Sequence, residues 1–331
     1  MGRWDSMARP LRIQYEGAIY HVMSRGNRRE RIYGNDGDRL AFLELLGRAC
    51  AKTGWQVHAY CLMSNHFHAV IETPQANLVA GMKWLLGVYT QRYNHRHAAS
   101  GHLFGGRYKA MLIDERDPAY LRMACDYVHL NPARAGLLGE GRRLEDYAWS
   151  SYPEYLKPAR KRPPWVRVDR VLAEHGLGAN DAAARREFRR RMESSRRGAM
   201  NLEALEKLRT GWRLGAPDFL ERLVERHEPI TGEGHRGEER RETDEVRAER
   251  IVREELKRLG LKESDLPKRA KGASEKVAIA RKLRRETTTT QKWIANRLQM
   301  GGWKNVANLL GQRGTASKRQ DFSDPMIFTR L

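Results

Sequence analysis

The chain has 331 residues, 40% hydrophobic and 31% charged, with a formal net charge of +21 and a pI near 10.2. No apolar run approaches the ~18 residues of a membrane-spanning helix, and the start carries no apolar signal core, so a helical membrane protein is excluded and a secreted one is not expected. The positive excess calls for a polyanionic partner, nucleic acid before an anionic membrane surface, and hence a cytoplasmic, nucleoid-associated protein. The length suggests two domains. Cys50, Cys61 and Cys125 lack CxxC spacing and read as buried thiols of a reducing compartment. Met1 to Ser6 resemble nothing that follows, and Met7 is an alternative start.

Ala18 to Arg25 alternates as a first strand and runs into a basic turn, Gly26-Asn27-Arg28-Arg29. Asp38 to Thr53 carries Leu40, Phe42, Leu43, Leu46 and Ala49 at helical spacing and stops at Gly54. Trp55 to Met63 and His66 to Thr73 are the second and third strands. Ala76 to Arg92 is a second helix, and Arg107 to Ile113 a fourth strand. The order strand-helix-strand-strand-helix-strand predicts an α+β fold, a ferredoxin-like antiparallel sheet with helices on one face. A third helix opens at Asp117 and Pro118, a cap residue followed by a favoured first-turn residue. It is expected to end at Asn131-Pro132, because proline disfavours helix at the residue before it.

The third strand carries the first chemical signal. Alternate residues of a strand share a face, so His66 and His68 point one way and Phe67 the other, toward a core. Two imidazoles on a rigid strand are most of a metal site, though a pair of polar residues on a solvated sheet face would look the same. A second pair, His95 and His97, sits near a helix end, where residues two apart diverge by about 200°. On the third helix, Tyr127 and Asn131 are four apart and adjacent on one edge. Tyr120 lies about 10 Å back along that edge, and His129 faces elsewhere. Glu72 shares the parity of His66 and His68 but is a weak candidate for the same metal.

Beyond this segment, 156–164 is basic and proline-rich and reads as a stiff linker closing a first domain at 8–155. Residues 165–227 look helical, with Trp165, Val171, Leu172, Phe188, Met192, Leu202, Leu205, Trp212 and Phe219 as core candidates. Residues 228–248 are rich in Gly, Glu and Arg and read as a mobile tether. Residues 249–310 carry amphipathic helices ending in helix, glycine turn and polar-faced helix, the layout of a helix-turn-helix. Lys304, Asn305 and Asn308 would then face base edges; a small helical bundle for protein contact is the alternative. Residues 311–331 read as a disordered tail.

Taken together, His66-Phe67-His68 and Tyr127-Val128-His129-Leu130-Asn131-Pro132 resemble the REP-associated tyrosine transposases, single-tyrosine nucleases of the His-hydrophobic-His family. Gly101 to Ala110 and Tyr20 to Asn27 share the likeness, which covers about residues 8 to 155. The 275–310 helices are similar to the DNA-binding helices of replication initiators. The resemblance implies that His66, His68 and Asn131 hold a divalent metal, Mg2+ or Mn2+, and that Tyr127 is the nucleophile. It implies cleavage and rejoining of single-stranded DNA, folded as a palindromic-repeat hairpin, through a 5′-phosphotyrosine. Arg25, Arg28, Arg29, Arg107 and Lys109, clustered at strand ends, would contact the DNA backbone, and Tyr108 could stack on a base or pack in the core. The rival readings are a domesticated DNA-binding regulator with an unused nuclease site and an RNA-binding protein of similar charge.

Overall fold

The alternating stretch near residue 20 forms β1 (Ala18–Arg25), and the sheet is built outward from it. The computed structural model describes residues 13–178, 181–197, 211–226 and 239–311. β1 pairs antiparallel with β3 (His66–Thr73) on one side and β4 (Lys109–Ile113) on the other, and β3 pairs antiparallel with β2 (Gln56–Leu62). The order β2-β3-β1-β4 is that of the ferredoxin-like sheet. A short fifth strand, β5 (Arg213–Leu214), adds to β4 in parallel and makes the sheet mixed. Nothing in the period-2 pattern marks so short a strand a hundred residues downstream of its partner.

Two helices cover the face toward which Phe67 points. α1 (Asp36–Thr53) starts in a capping box, with the Asn35 side chain accepting from the Asp38 amide, and ends on Gly54 at φ 75°, a left-handed position that suits glycine. α2 (Leu78–Arg96) packs against α1. Phe42 of α1 meets both Phe67 and Tyr89 of α2, at ring centroid distances of 4.8 and 5.1 Å. Buried Asp38 accepts from His97 and Arg96, which ties the end of α2 to the start of α1. His97 is therefore a structural partner of a carboxylate.

α3 (Pro118–Arg134) lies over β2 and β3 on the opposite face. It does not stop at Asn131. The chain continues a further turn through Pro132, with the Ala135 amide donating to the Asn131 carbonyl at 2.9 Å. The proline ends no helix here because burial of Leu130 and Pro132 outweighs the local preference and only one backbone donor is missing.

The boundary expected at 156–164 is corrected. Val57 donates to the Trp165 carbonyl and accepts from the Arg167 amide, so the chain after the proline-rich stretch runs against β2. Helix α4 is Tyr152–Tyr155, α5 Asp169–Glu174, α6 Ala182–Arg197 and α7 Phe219–Arg226. Val171, Leu172, Phe188, Met192, Leu214 and Phe219 all join the core of the first unit. Phe188 stacks on Tyr155 at 5.1 Å. Trp212 is the exception among the expected core residues, at 51% exposure. Leu202 and Leu205 lie outside the described residues.

The chain divides into two units, Met1–Arg241 and Glu242–Leu331. Ten residues of the expected tether are helical, since α8 spans Glu239–Arg258. In the second unit α9 (Ser274–Glu286), α10 (Gln291–Arg297) and α11 (Trp303–Gly311) enclose Ile251, Leu256, Ile279, Leu283, Ile294, Met300 and Val306. Thr290 caps α10 by accepting from the Trp293 amide, and Gln299 (φ 53°) and Gly301 (φ 82°) make the turn into α11. Residues 312–331 and the N-terminal Met1 to Arg12 lie outside the described residues. No helix among the described residues is long and apolar enough to cross a membrane.

Candidate active site

Strand register assembles the site. Arg25 pairs with His66 and Met23 with His68, while Met23 also pairs with Lys109 and His21 with Met111. Residues directly opposite in antiparallel strands share a face, so these side chains form one patch across β3, β1 and β4. α3 lies over this face. Tyr127 and Asn131 join the patch in a cavity of about 620 Å3.

The histidines are held in defined orientations. His66 Nδ1 is 2.7 Å from Asn65 Oδ1, and His68 Nδ1 is 2.9 Å from His21 Nε2. The His21 and His68 rings stack at 5.1 Å with 16° between their planes. The Asn65 oxygen only accepts, so His66 carries its proton on Nδ1 and its lone pair on Nε2; His68 has the same form in the tautomer where its Nδ1 donates to His21 Nε2. Burial pushes His21 down to about 4; burial and the nearby Arg25 charge push His66 down to about 4. His68 is driven well below its ordinary value by burial, then by His21, His66, Arg25 and Arg134. All three are neutral imidazoles at neutral pH, the form that ligates metal.

Tyr127 presents its ring edge-on to His21 and His68, at 5.6 and 5.8 Å between centroids. The Arg134 guanidinium sits over that ring at 4.5 Å. Asn131 is 8% exposed, and its side-chain nitrogen has no hydrogen-bond partner among the described residues. That nitrogen is a donor and suits an acceptor such as a phosphate oxygen, while the amide oxygen is the end that suits a metal. No group of three His, Cys, Asp or Glu among the described residues is arranged to hold a metal; the fit rests on two imidazoles and an amide.

Not every expected residue converges. Arg25, Arg107 and Lys109 line the cavity, with Tyr108 buried beside them. Arg28 and Arg29 are exposed in a turn at φ 49° and 65°, fastened by Asn65 Nδ2 donating to the Arg29 carbonyl, and do not line it. Tyr120 is not part of the wall. His129 is buried against Ser151 Oγ at 3.0 Å. Glu72 is engaged at the other end of β3 by His58, Arg167 and Arg170. In the second unit Lys304 and Asn308 are exposed, but the Asn305 side chain donates to the Met300 carbonyl and closes the turn.

Three wall residues escaped the sequence reading. Arg134 was accessible to it, seven residues from Tyr127 on the same helical face. His21 needs the β1–β3 register, and Trp212 needs β5.

Residues 14–131 match the family model described as transposase IS200 like. This segment is an IS200-like transposase domain. It ends at Asn131, so α4 to α7, β5 and the second unit lie outside the match. No curated protein matches the chain. Among solved structures, a REP-associated tyrosine transposase bound to a REP hairpin aligns at 14% identity and a TM-score of 0.38, covering 45% of this chain and 86% of that one.

Proposed function

We propose that the IS200-like domain is a metal-dependent endonuclease and strand transferase for single-stranded DNA. The observation that carries this is the convergence of Tyr127, His66, His68 and Asn131 on one cavity rimmed by Arg25, Arg107 and Lys109. His66 Nε2, His68 Nε2 and the Asn131 amide oxygen would hold Mg2+ or Mn2+. Such an ion, when bound, supplies positive charge to a scissile phosphate and to the charge that builds on it.

The protein's own groups account for the remaining steps. Arg25, Arg107 and Lys109 attract and align the phosphate backbone. Tyr127 Oη attacks the scissile phosphorus. An Oη–P bond forms, the P–O3′ bond breaks, the phenol loses its proton and the departing 3′-oxygen gains one. The product is a 5′-phosphotyrosine and a free 3′-hydroxyl, and attack by a 3′-hydroxyl on that ester rejoins a strand without ATP. The Arg134 guanidinium, stacked on the phenol ring, fixes its plane and adds positive charge beside the attacking oxygen. A hairpin from a palindromic repeat is the proposed substrate. Lys304 and Asn308 of the second unit are the proposed contacts to its duplex part.

The test is nicking of 5′- and 3′-labelled single-stranded hairpins, taken from repeats flanking the gene. A nick that requires Mn2+, stops with EDTA and is lost in Tyr127→Phe supports the reading. Binding without cleavage in every metal tried replaces it with a regulator that binds DNA only.

A further inference from the structure

The family match ends at Asn131, but the cavity wall does not. Gly211 and Trp212 complete it from just ahead of β5, the strand that joins the edge of the sheet. Trp212 is 51% exposed in a unit that buries most of its other large aromatic rings. The position is rigidly held. The Leu112 amide donates to the Trp212 carbonyl at 3.0 Å and the Asp114 amide to that of Leu214 at 2.8 Å. Asp114, 1% exposed, also accepts from Arg222 of α7. Gly215 sits so close that an added Cβ would lie 2.5 Å from the Phe219 ring and 2.7 Å from Asp114 Cβ. The Arg213 guanidinium lies 5.3 Å from the Trp212 ring.

We infer that Trp212 is a base-stacking platform that seats an unpaired base of single-stranded DNA at the mouth of the Tyr127 cavity. This deepens the nuclease reading and rests on it. The cations of the cavity are placed to attract phosphates, whereas an indole held just ahead of β5 offers a π-face to any base. Stacking of this kind changes affinity by roughly 5- to 150-fold per base and tolerates sequence. A rigid platform also fixes the neighbouring phosphate relative to Tyr127, because base and phosphate belong to one nucleotide.

The experiment compares fluorescein-labelled oligothymidine with an abasic phosphodiester strand of equal length, binding the full chain in EDTA. Wild type is expected to prefer the strand with bases by roughly 5- to 150-fold. Trp212→Ala is expected to lose that preference while keeping the affinity for the abasic strand and its salt dependence. Trp212→Phe is expected to keep most of it. A preference retained in Trp212→Ala, affinity for both strands falling equally, or no preference in wild type overturns the inference. Hairpin nicking by wild type in Mn2+, run in parallel, separates the two claims. Nicking with a base preference that ignores Trp212 sinks only the platform. A Trp212-dependent preference without nicking sinks only the nuclease.

Discussion

Replacing His21 with Phe isolates the support of one proposed ligand. His21 Nε2 is the partner of His68 Nδ1 at 2.9 Å, and the two rings stack at 5.1 Å. Phe keeps the ring and the stack but removes the nitrogen. His68 Nδ1 then has no partner in a nearly closed site, since His68 is 7% and His21 5% exposed. Leaving such an atom unsatisfied costs about 1–3 kcal/mol. Without that contact neither the orientation of the imidazole nor the placement of its proton is held for the metal. Loss of such an outer partner lowers metal affinity by about 10–100-fold, or about 1.4–2.7 kcal/mol, consistent with one lost hydrogen bond. The assay is Mn2+ binding followed by electron paramagnetic resonance on the full chain without DNA. His97→Phe is the control, because His97 bonds Asp38 on the other side of the sheet. A Mn2+ affinity for His21→Phe within about twofold of wild type would refute the reasoning.

Three further outcomes follow from the same geometry. Phe188→Ala removes a fully buried ring stacked on Tyr155 and should cost about 3–5 kcal/mol in urea unfolding; a loss under about 1 kcal/mol would mean that 165–197 is not part of the first core. Arg25→Ala and Lys109→Ala should each flatten the dependence of log affinity for single-stranded DNA on log salt by about 0.7, with the change measured by anisotropy titration. Burial, opposed by its bond to Glu72, holds His58 below the ordinary imidazole value, so the unfolded chain takes up that proton first as pH falls. Stability is then full above about pH 6.5 and declines below it, with a slope of at most about 1.4 kcal/mol per pH unit from this group. His58→Gln should make the measured decline shallower, and an unchanged slope would contradict the assignment.

Much of the site was legible because it depends on short-range periodicity. Strand parity put His66 and His68 on one face, and helix spacing put Tyr127 and Asn131 on one edge. The sheet order followed from the succession of elements. What was not legible depends on pairings far apart in sequence. His21 meets His68 only through the β1–β3 register, and Trp212 reaches the cavity only because β5 pairs with β4. The proline-rich 156–164 stretch had the composition of a linker, yet the apolar residues after it find their core in the first unit. Pro132 marked a stop that packing overrode. Asn305 had a suitable amide at a suitable place, but the turn before α11 uses it.

The central claim is that Tyr127 is the group that attacks DNA. Its most direct measurement is isolation of a covalent complex after Mn2+-dependent reaction with a labelled hairpin, followed by proteolysis and mass analysis of the modified peptide. The account predicts a phosphodiester to the 5′ end of the cleaved strand on the peptide containing Tyr127, with none in Tyr127→Phe. A nicked strand with no protein attached, or an adduct mapped to Tyr120 or any other residue, would contradict it.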